Sequence, residues 1–305
     1  MLISPSPVLL LVPLAGLLLI SGPVTPRAWR WTLVSVVLAA IWLGITQGIV
    51  DQVANAMAIL MTGGFVVLST SDRRGVFARA SLAVLLALAG VAIWCGIWGI
   101  EWGDLRIALT REWWSVWRDL AANPRFGPRS LDARDLLERI ADAGASMARL
   151  YPARLLLSGM LGLVITANWV EAATGKSVGR AAERLGKFRF TDHLVWLVIL
   201  AVLVLLLPSL GVVHRMADRY PVVDLMLYTV QYWSTAAENV LVVCAALYAV
   251  RGAAVLSRFL RPGAAVFVIV IATVFLLPFA LAGLVLLGLA DTWIDFRRPR
   301  ESVAK

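Results

Sequence analysis

Long uninterrupted apolar blocks constrain the fold of this chain more than any other feature of its sequence. Residues 194–207 and 264–277 contain no charged side chain, and comparable blocks recur along all 305 residues. A helix that crosses a bilayer needs about 20 mostly apolar residues. Hydrophobic residues make up 60% of the chain and charged residues 15%, whereas soluble domains average about 45–50% and 25%. The sequence therefore predicts an integral membrane protein.

The apolar blocks divide into about eight predicted spans, which indicates an all-α, polytopic transmembrane helix bundle. The spans cover residues 8–20, 31–50, 53–69, 76–100, 152–172, 193–213, 222–250 and 264–289. Residues 101–149 interrupt the pattern, because they contain eight basic and eight acidic side chains. We expect an N-terminal four-span bundle (1–100), an amphipathic interfacial linker (101–150), a C-terminal four-span bundle (151–290) and a basic polar tail (291–305).

The linker has the periodicity of two amphipathic helices. In the first, over residues 104–122, Arg111 and Arg118 lie opposite a face of apolar residues. That face consists of Leu105, Leu109, Trp113, Val116 and Leu120. A helix of this kind suits the membrane surface, with its apolar face in lipid. The apolar face of the second helix is expected to contain Leu136, Leu137, Ile140, Gly144 and Met147.

The charge and the rare reactive residues exclude several classes of function. The net charge of +9 does not indicate nucleic-acid binding, because the basic residues lie between apolar blocks, where they orient helices and contact anionic lipid. The two histidines, His193 and His214, lie about 30 Å apart along a helix and cannot share a metal ion. We therefore expect no enzyme, and no catalytic, cofactor-binding or metal-binding residue.

A polar stripe in predicted span seven is the best candidate for a site. Its members are Asp224, Tyr228, Gln231, Thr235 and Glu238, with Asn239 beside the last. They fall within about 40° either side of one line on a helix. A carboxylate is costly at membrane depth and usually faces a partner or a cavity. The stripe is either the polar wall of a solute or proton site, or a packing face that forms hydrogen bonds between helices.

Landmarks in the second half carry a resemblance to a known family. They are Asn168, Asp192, Trp196, Gly252, Gly288, Asp291, Trp293, Asp295, Phe296 and Arg297. These residues resemble the landmarks of the YybS-like bacterial membrane proteins, most specifically over residues 288–297, although Thr191 stands where that family is expected to have proline. The resemblance implies a multi-pass protein of the bacterial inner membrane, with a central linker and no assigned chemistry. A looser similarity links such proteins to the substrate-binding membrane subunits of vitamin importers.

Two functions remain open from the sequence. The first is small-solute binding or transport along the stripe around Glu238, and a hydrated cavity that reaches this residue would favour it. The alternative is a non-catalytic scaffold or interaction protein of the cell envelope, and an exposed apolar flank on residues 101–150 would favour it. The expected partners are the lipid bilayer and either a small-molecule solute or another membrane protein, with no nucleic acid.

Overall fold

The structure, a computed structural model, describes residues 7–22, 26–45, 48–71, 75–121, 133–175, 190–206, 223–259 and 277–294. All regular secondary structure in these ranges is helical. The helices are α1 (Val8–Ser21), α2 (Pro26–Gly44), α3 (Ile49–Ser71), α4 (Val76–Ile97), α5 (Trp102–Ala121), α6 (Ala133–Arg149), α7 (Tyr151–Thr174), α8 (Leu194–Leu206), α9 (Val223–Phe259) and α10 (Leu277–Ile294). The predicted all-α helical bundle is confirmed.

Four described helices are long and apolar enough to cross a membrane. These segments are Ile49–Thr70, Val76–Ile97, Tyr151–Thr174 and Tyr232–Ser257. Shorter apolar helices overlap the other predicted spans, at Val8–Ser21, Trp29–Gly44, Leu194–Leu206 and Phe279–Ile294. The apolar helices fit a membrane protein, while the count of eight spans stays a prediction.

Large apolar side chains cover much of the outer surface of these helices. On α2, Leu33, Val37 and Ile41 are 65%, 46% and 52% exposed, and they share one face of the helix. Soluble monomers rarely expose such contiguous apolar surface, whereas lipid tails accept it. This surface is the structural counterpart of the apolar blocks in the sequence.

The chain forms two compact units, Met1–Ala182 and Glu183–Lys305. In the first unit, α1, α3, α4 and α7 pack together, and α2 packs against α1. Small residues allow this close approach: Ala58 on α3 and Ala83 on α4 are fully buried, and Gly159 on α7 faces Met61. We expected α7 to belong to the C-terminal bundle; in the structure it packs within the first unit, which ends at Ala182. The division into two four-span bundles stays a prediction.

A tight turn joins α4 to α5. Gly99 has a φ of 63°, and Ile100 N–H donates to the Cys95 carbonyl at 2.9 Å. Glycine favours this left-handed conformation, and the hydrogen bond satisfies a carbonyl at the end of α4. The turn places α5 immediately after a candidate span.

In the second unit, α9 packs against both α8 and α10. Helix α9 has 37 residues and extends beyond the end at residue 250 that the sequence predicted. Helix α10 is described from Leu277 to Ile294, and residues 264–276 of the predicted span eight lie outside the described residues.

Candidate functional site

The predicted polar stripe lies on one continuous helix, α9. The side chains of Asp224, Tyr228 and Gln231 lie outside the described residues. Thr235, Glu238 and Asn239 are half-buried. The Asn239 amide donates to the Thr235 carbonyl at 2.8 Å, so this amide bonds to the backbone of its own helix. The role of the stripe stays a prediction.

Some of the predicted landmark residues lie close together in the structure, and the others do not. Asp192, Gly252, Gly288 and Asp291 surround a single arginine, Arg251, in the second unit. The other described landmarks are exposed on separate helices: Asn168 on α7, Trp196 on α8 and Trp293 on α10. Asp295, Phe296 and Arg297 lie outside the described residues.

Arg251 binds two carboxylates from different parts of the second unit. Its Nε donates to Asp291 Oδ2 at 2.9 Å, and its Nη2 donates to the Asp291 carbonyl at 3.1 Å. Its Nη1 donates to Asp192 Oδ1 at 2.8 Å. The exposed fractions of the side chains are 5% for Arg251, 0% for Asp291 and 64% for Asp192. We call these three residues the arginine clamp; it joins the segment before α8 to α9 and α10.

Aromatic side chains enclose the guanidinium of the clamp. Arg251 Cζ lies 5.2 Å from the centre of the Phe190 ring, a distance at which a cation and a ring attract. The Phe190 ring meets Tyr248 edge-on, with 5.1 Å between ring centres. The Tyr248 and Thr292 hydroxyls neighbour each other in this buried region, without the geometry of a hydrogen bond. The clamp is therefore sealed by apolar surface on one side and open at Asp192.

Two glycines bring α9 and α10 into backbone contact beside the clamp. A Cβ atom at Gly252 would overlap the Leu284 carbonyl, and one at Gly288 would overlap the Tyr248 carbonyl. The Cβ atom at Gly288 would also lie 3.0 Å from the Gly252 nitrogen. Only glycine permits this approach, which is typical of helix packing in membranes. The approach places Asp291 within reach of Arg251.

The geometry of the arginine clamp indicates a structural role and not a solute-binding one. The guanidinium makes three hydrogen bonds to oxygen atoms, and two of its acceptors are carried by a fully buried residue. Three of the five N–H donors of the guanidinium are therefore used within the protein. Buried ion pairs of this kind fix how helices meet, and removing one partner is costly.

A second arrangement of functional interest is the helical hairpin of α5 and α6 in the first unit. Trp113 Nε1 donates to the Ile140 carbonyl at 2.9 Å. A Cβ atom at Gly144 would lie 2.5 Å from Trp113 Cδ1, so the indole lies directly on the backbone of α6. We expected the apolar face of Leu105, Leu109, Trp113, Val116 and Leu120 to lie in lipid. Leu105 is buried and Trp113 packs against α6, whereas Val116 is 46% exposed. Part of the apolar face of α5 is therefore used within the protein.

A groove runs along this hairpin. Its larger part has a volume of about 700 Å³ and the smaller part about 390 Å³. The lining side chains include four arginines and two tryptophans, namely Arg106, Arg111, Arg118, Arg149, Trp114 and Trp117. Two exposed apolar side chains complete it, Ile107 at 57% and Leu137 at 55%. These residues define the hairpin groove.

The Glu112 side chain on α5 lies close to the start of α3. Its Oε1 lies 3.9 Å from the position of a Cβ atom built at Gly48, one residue before α3 begins. Burial, and then the neighbouring Asp51 carboxylate, raise the pKa of Glu112 above its ordinary value. Two carboxylates that share one region disfavour each other's charged form. The neutral form of Glu112 is therefore favoured relative to a solvated glutamate.

Sequence reasoning missed two buried cations. These are Arg251 and Arg79, to which the sequence analysis assigned no role in the site. Arg79 is fully buried on α4, with its Cζ 5.4 Å from the Phe65 ring centre. An arginine within an apolar helix is itself a signal, because such charges are rare and pair inside the bundle.

Within the described residues, no group of three or more histidine, cysteine, aspartate or glutamate side chains is arranged to hold a metal ion. Comparisons of this chain with protein-family models, with curated proteins and with solved structures give no match. The site is therefore interpreted from its own geometry.

Proposed function

We propose that this protein is a non-catalytic, multi-pass membrane scaffold, and that the α5–α6 hairpin is the element by which it contacts other components of the envelope. The single observation that carries the proposal is the hairpin groove, where Ile107 and Leu137 are more than half exposed beside four arginines. An accessible surface that combines apolar and charged side chains is typical of interaction sites. The resemblance to the YybS-like family and a bacterial inner-membrane location belong to the same proposal.

The position of the hairpin supports this function. Helix α4 ends at Ile97, five residues before α5 begins, and α7 begins at Tyr151, two residues after α6 ends. Both neighbours are candidate membrane spans. The Glu112 contact adds the start of α3, a third candidate span. Three span ends therefore meet the hairpin, which supports a place at one face of the membrane.

Solute transport along α9 is the second candidate function. Glu238 is a half-buried carboxylate in an apolar segment, Tyr232–Ser257, and this is the observation in its favour. The amide beside it, Asn239, bonds within the helix. In the described part of this unit, the Arg251 guanidinium is bound by Asp192 and Asp291 of the arginine clamp. These contacts favour the scaffold over a solute pathway.

The experiment compares two sets of variants in a strain that lacks the native protein. The double variant Ile107→Ser/Leu137→Ser changes the hairpin, and Glu238→Gln changes the stripe. We expect the hairpin variant to lose the ability to restore the wild-type phenotype, while Glu238→Gln retains it at equal protein level. Leu33→Ser, at a residue 65% exposed on α2, is the matched control and should restore the phenotype. The opposite result, with loss only in Glu238→Gln, would establish the transport function instead.

A further inference from the structure

The two parts of the hairpin groove form one continuous surface. Arg111 and Trp114 line both parts. The larger part, about 700 Å³, ends at Arg118 and Leu137, and the smaller part, about 390 Å³, ends at Arg106 and Arg149. The groove thus presents an extended site, of the kind that accepts a segment of chain.

The charge of the groove has one sign. Four arginines line it, and no aspartate or glutamate contributes to its described lining. Within the described residues, the side chains of Arg106, Arg111 and Arg118 donate no hydrogen bond and form no ion pair. Arginine forks match carboxylates and phosphates in a bidentate manner, so the groove is complementary to an anionic partner.

The groove uses a face of α5 that differs from the face of Leu105 and Glu112. At about 100° per residue, Arg111, Trp114 and Arg118 lie about 120° to 180° around α5 from Leu105. Leu105 is the buried side of this helix. Glu112, which meets the start of α3, lies about 100° from Arg111 and about 120° from Arg118. The groove residues of α5 therefore lie on a different face of the helix from Leu105 and Glu112.

We infer that the hairpin groove binds an acidic, amphipathic segment of a partner protein, an inference that rests on the proposed scaffold function. The carboxylates of the segment pair with Arg111 and Arg118, and its apolar side chains contact Ile107, Leu137 and the Trp114 indole. The ion pairs would orient the segment in the groove, and burial of its apolar side chains would supply most of the affinity. An anionic phospholipid offers similar charge, but an extended groove with an apolar side chain in each of its two parts, Leu137 and Ile107, suits a segment of chain better.

The test uses the full-length protein in nanodiscs of zwitterionic lipid and a labelled synthetic peptide that places glutamate on one helical face and leucine on the other. We expect saturable binding by fluorescence anisotropy, weakened about tenfold when the glutamates are replaced by glutamine. Arg111→Gln and Arg118→Gln should each weaken binding by about the same factor. Arg139→Gln, at an exposed residue of α6 outside the groove, is the matched control and should bind as the native protein does.

Four results would overturn the inference. The first three are a lack of peptide binding, equal binding of the glutamate and glutamine peptides, and equal binding by Arg111→Gln. In the fourth, anionic phospholipid in the nanodisc displaces the peptide, and the protein retains that lipid only when Arg111 is present. This result would assign the groove to lipid. If the peptide does not bind, the proposed scaffold function is not contradicted. The phenotype of Ile107→Ser/Leu137→Ser tests the role of the hairpin independently of the charge of the partner.

Discussion

Arg251 and Asp291 lie 40 positions apart in the chain, yet Arg251 Nε donates to Asp291 Oδ2 at 2.9 Å with both side chains buried. This contact joins α9 to α10, while the third member of the clamp, Asp192, is 64% exposed. The two ion pairs of one arginine therefore have different surroundings. Their contributions to stability should differ accordingly.

Removing the buried carboxylate should be far more harmful than removing the exposed one. Asp291→Asn leaves the Arg251 charge without its buried partner, a change that typically costs about 3–5 kcal/mol. Asp192→Asn removes a pair that faces solvent, which is typically worth about 0–1 kcal/mol. Melting temperatures of the detergent-solubilised variants measure the difference. Equal destabilisation by the two substitutions would show that the clamp is not organised around Asp291.

The glycine crossing of α9 and α10 gives a second prediction. Gly288→Ala should lower the melting temperature strongly, because its Cβ would overlap the Tyr248 carbonyl and force the helices apart. Gly283→Ala on the same helix is the matched control, since a Cβ there meets nothing within 4 Å. That control should be neutral or stabilising by up to about 1 kcal/mol through helix propensity. A neutral Gly288→Ala would refute the close crossing.

The contact of Trp113 with Gly144 should hold the hairpin together. Gly144→Ala places a methyl group 2.5 Å from Trp113 Cδ1 and should separate α5 from α6. Hydrogen–deuterium exchange of the α6 amides should then rise markedly. Gly103→Ala on α5, where a Cβ meets nothing within 4 Å, should leave the exchange unchanged. Unchanged protection in Gly144→Ala would mean that the two helices do not pack as described.

Glu112 should make the first unit less stable as the pH rises. Its pKa is raised in the folded protein by burial and by Asp51, whereas an unfolded glutamate titrates near about 4.3. The folded state then binds the proton more tightly, and stability is lost as the pH rises from that value through the raised pKa. Glu112→Gln should reduce this loss, and Asp51→Asn should reduce it in part. Melting temperatures at about pH 4 and pH 7 provide the measurement. A steeper fall in Glu112→Gln than in the native protein would contradict the assignment.

The sequence predicted the helices well, because a run of about 20 apolar residues has few alternatives in a membrane. It also singled out Asp192, Gly252, Gly288 and Asp291, although it did not bring them together. Their meeting at Arg251 depends on contacts that span 40 and 59 residues. No local periodicity encodes such contacts.

The linker shows a second limit of sequence reasoning. An apolar helical face suits lipid and protein equally well, so Trp113 was expected in lipid and instead packs against α6. The groove on the other side of α5 is formed jointly with α6. From the sequence, its arginines are expected on a solvent-exposed face of α5. A groove between two helices cannot be predicted until the positions of both helices are known.

Site-specific photo-crosslinking in living cells tests the central claim most directly. A photoreactive amino acid at Leu137, which is 55% exposed in the groove, should give a protein adduct of one defined mass. The same residue at Leu161, which is 56% exposed on α7, is the matched control and should give no such adduct. The account predicts that the Leu137 adduct disappears when Arg111→Gln is combined with the probe. A Leu137 probe that reacts only with lipid, as the Leu161 probe does, would contradict the role of the hairpin as the contact element.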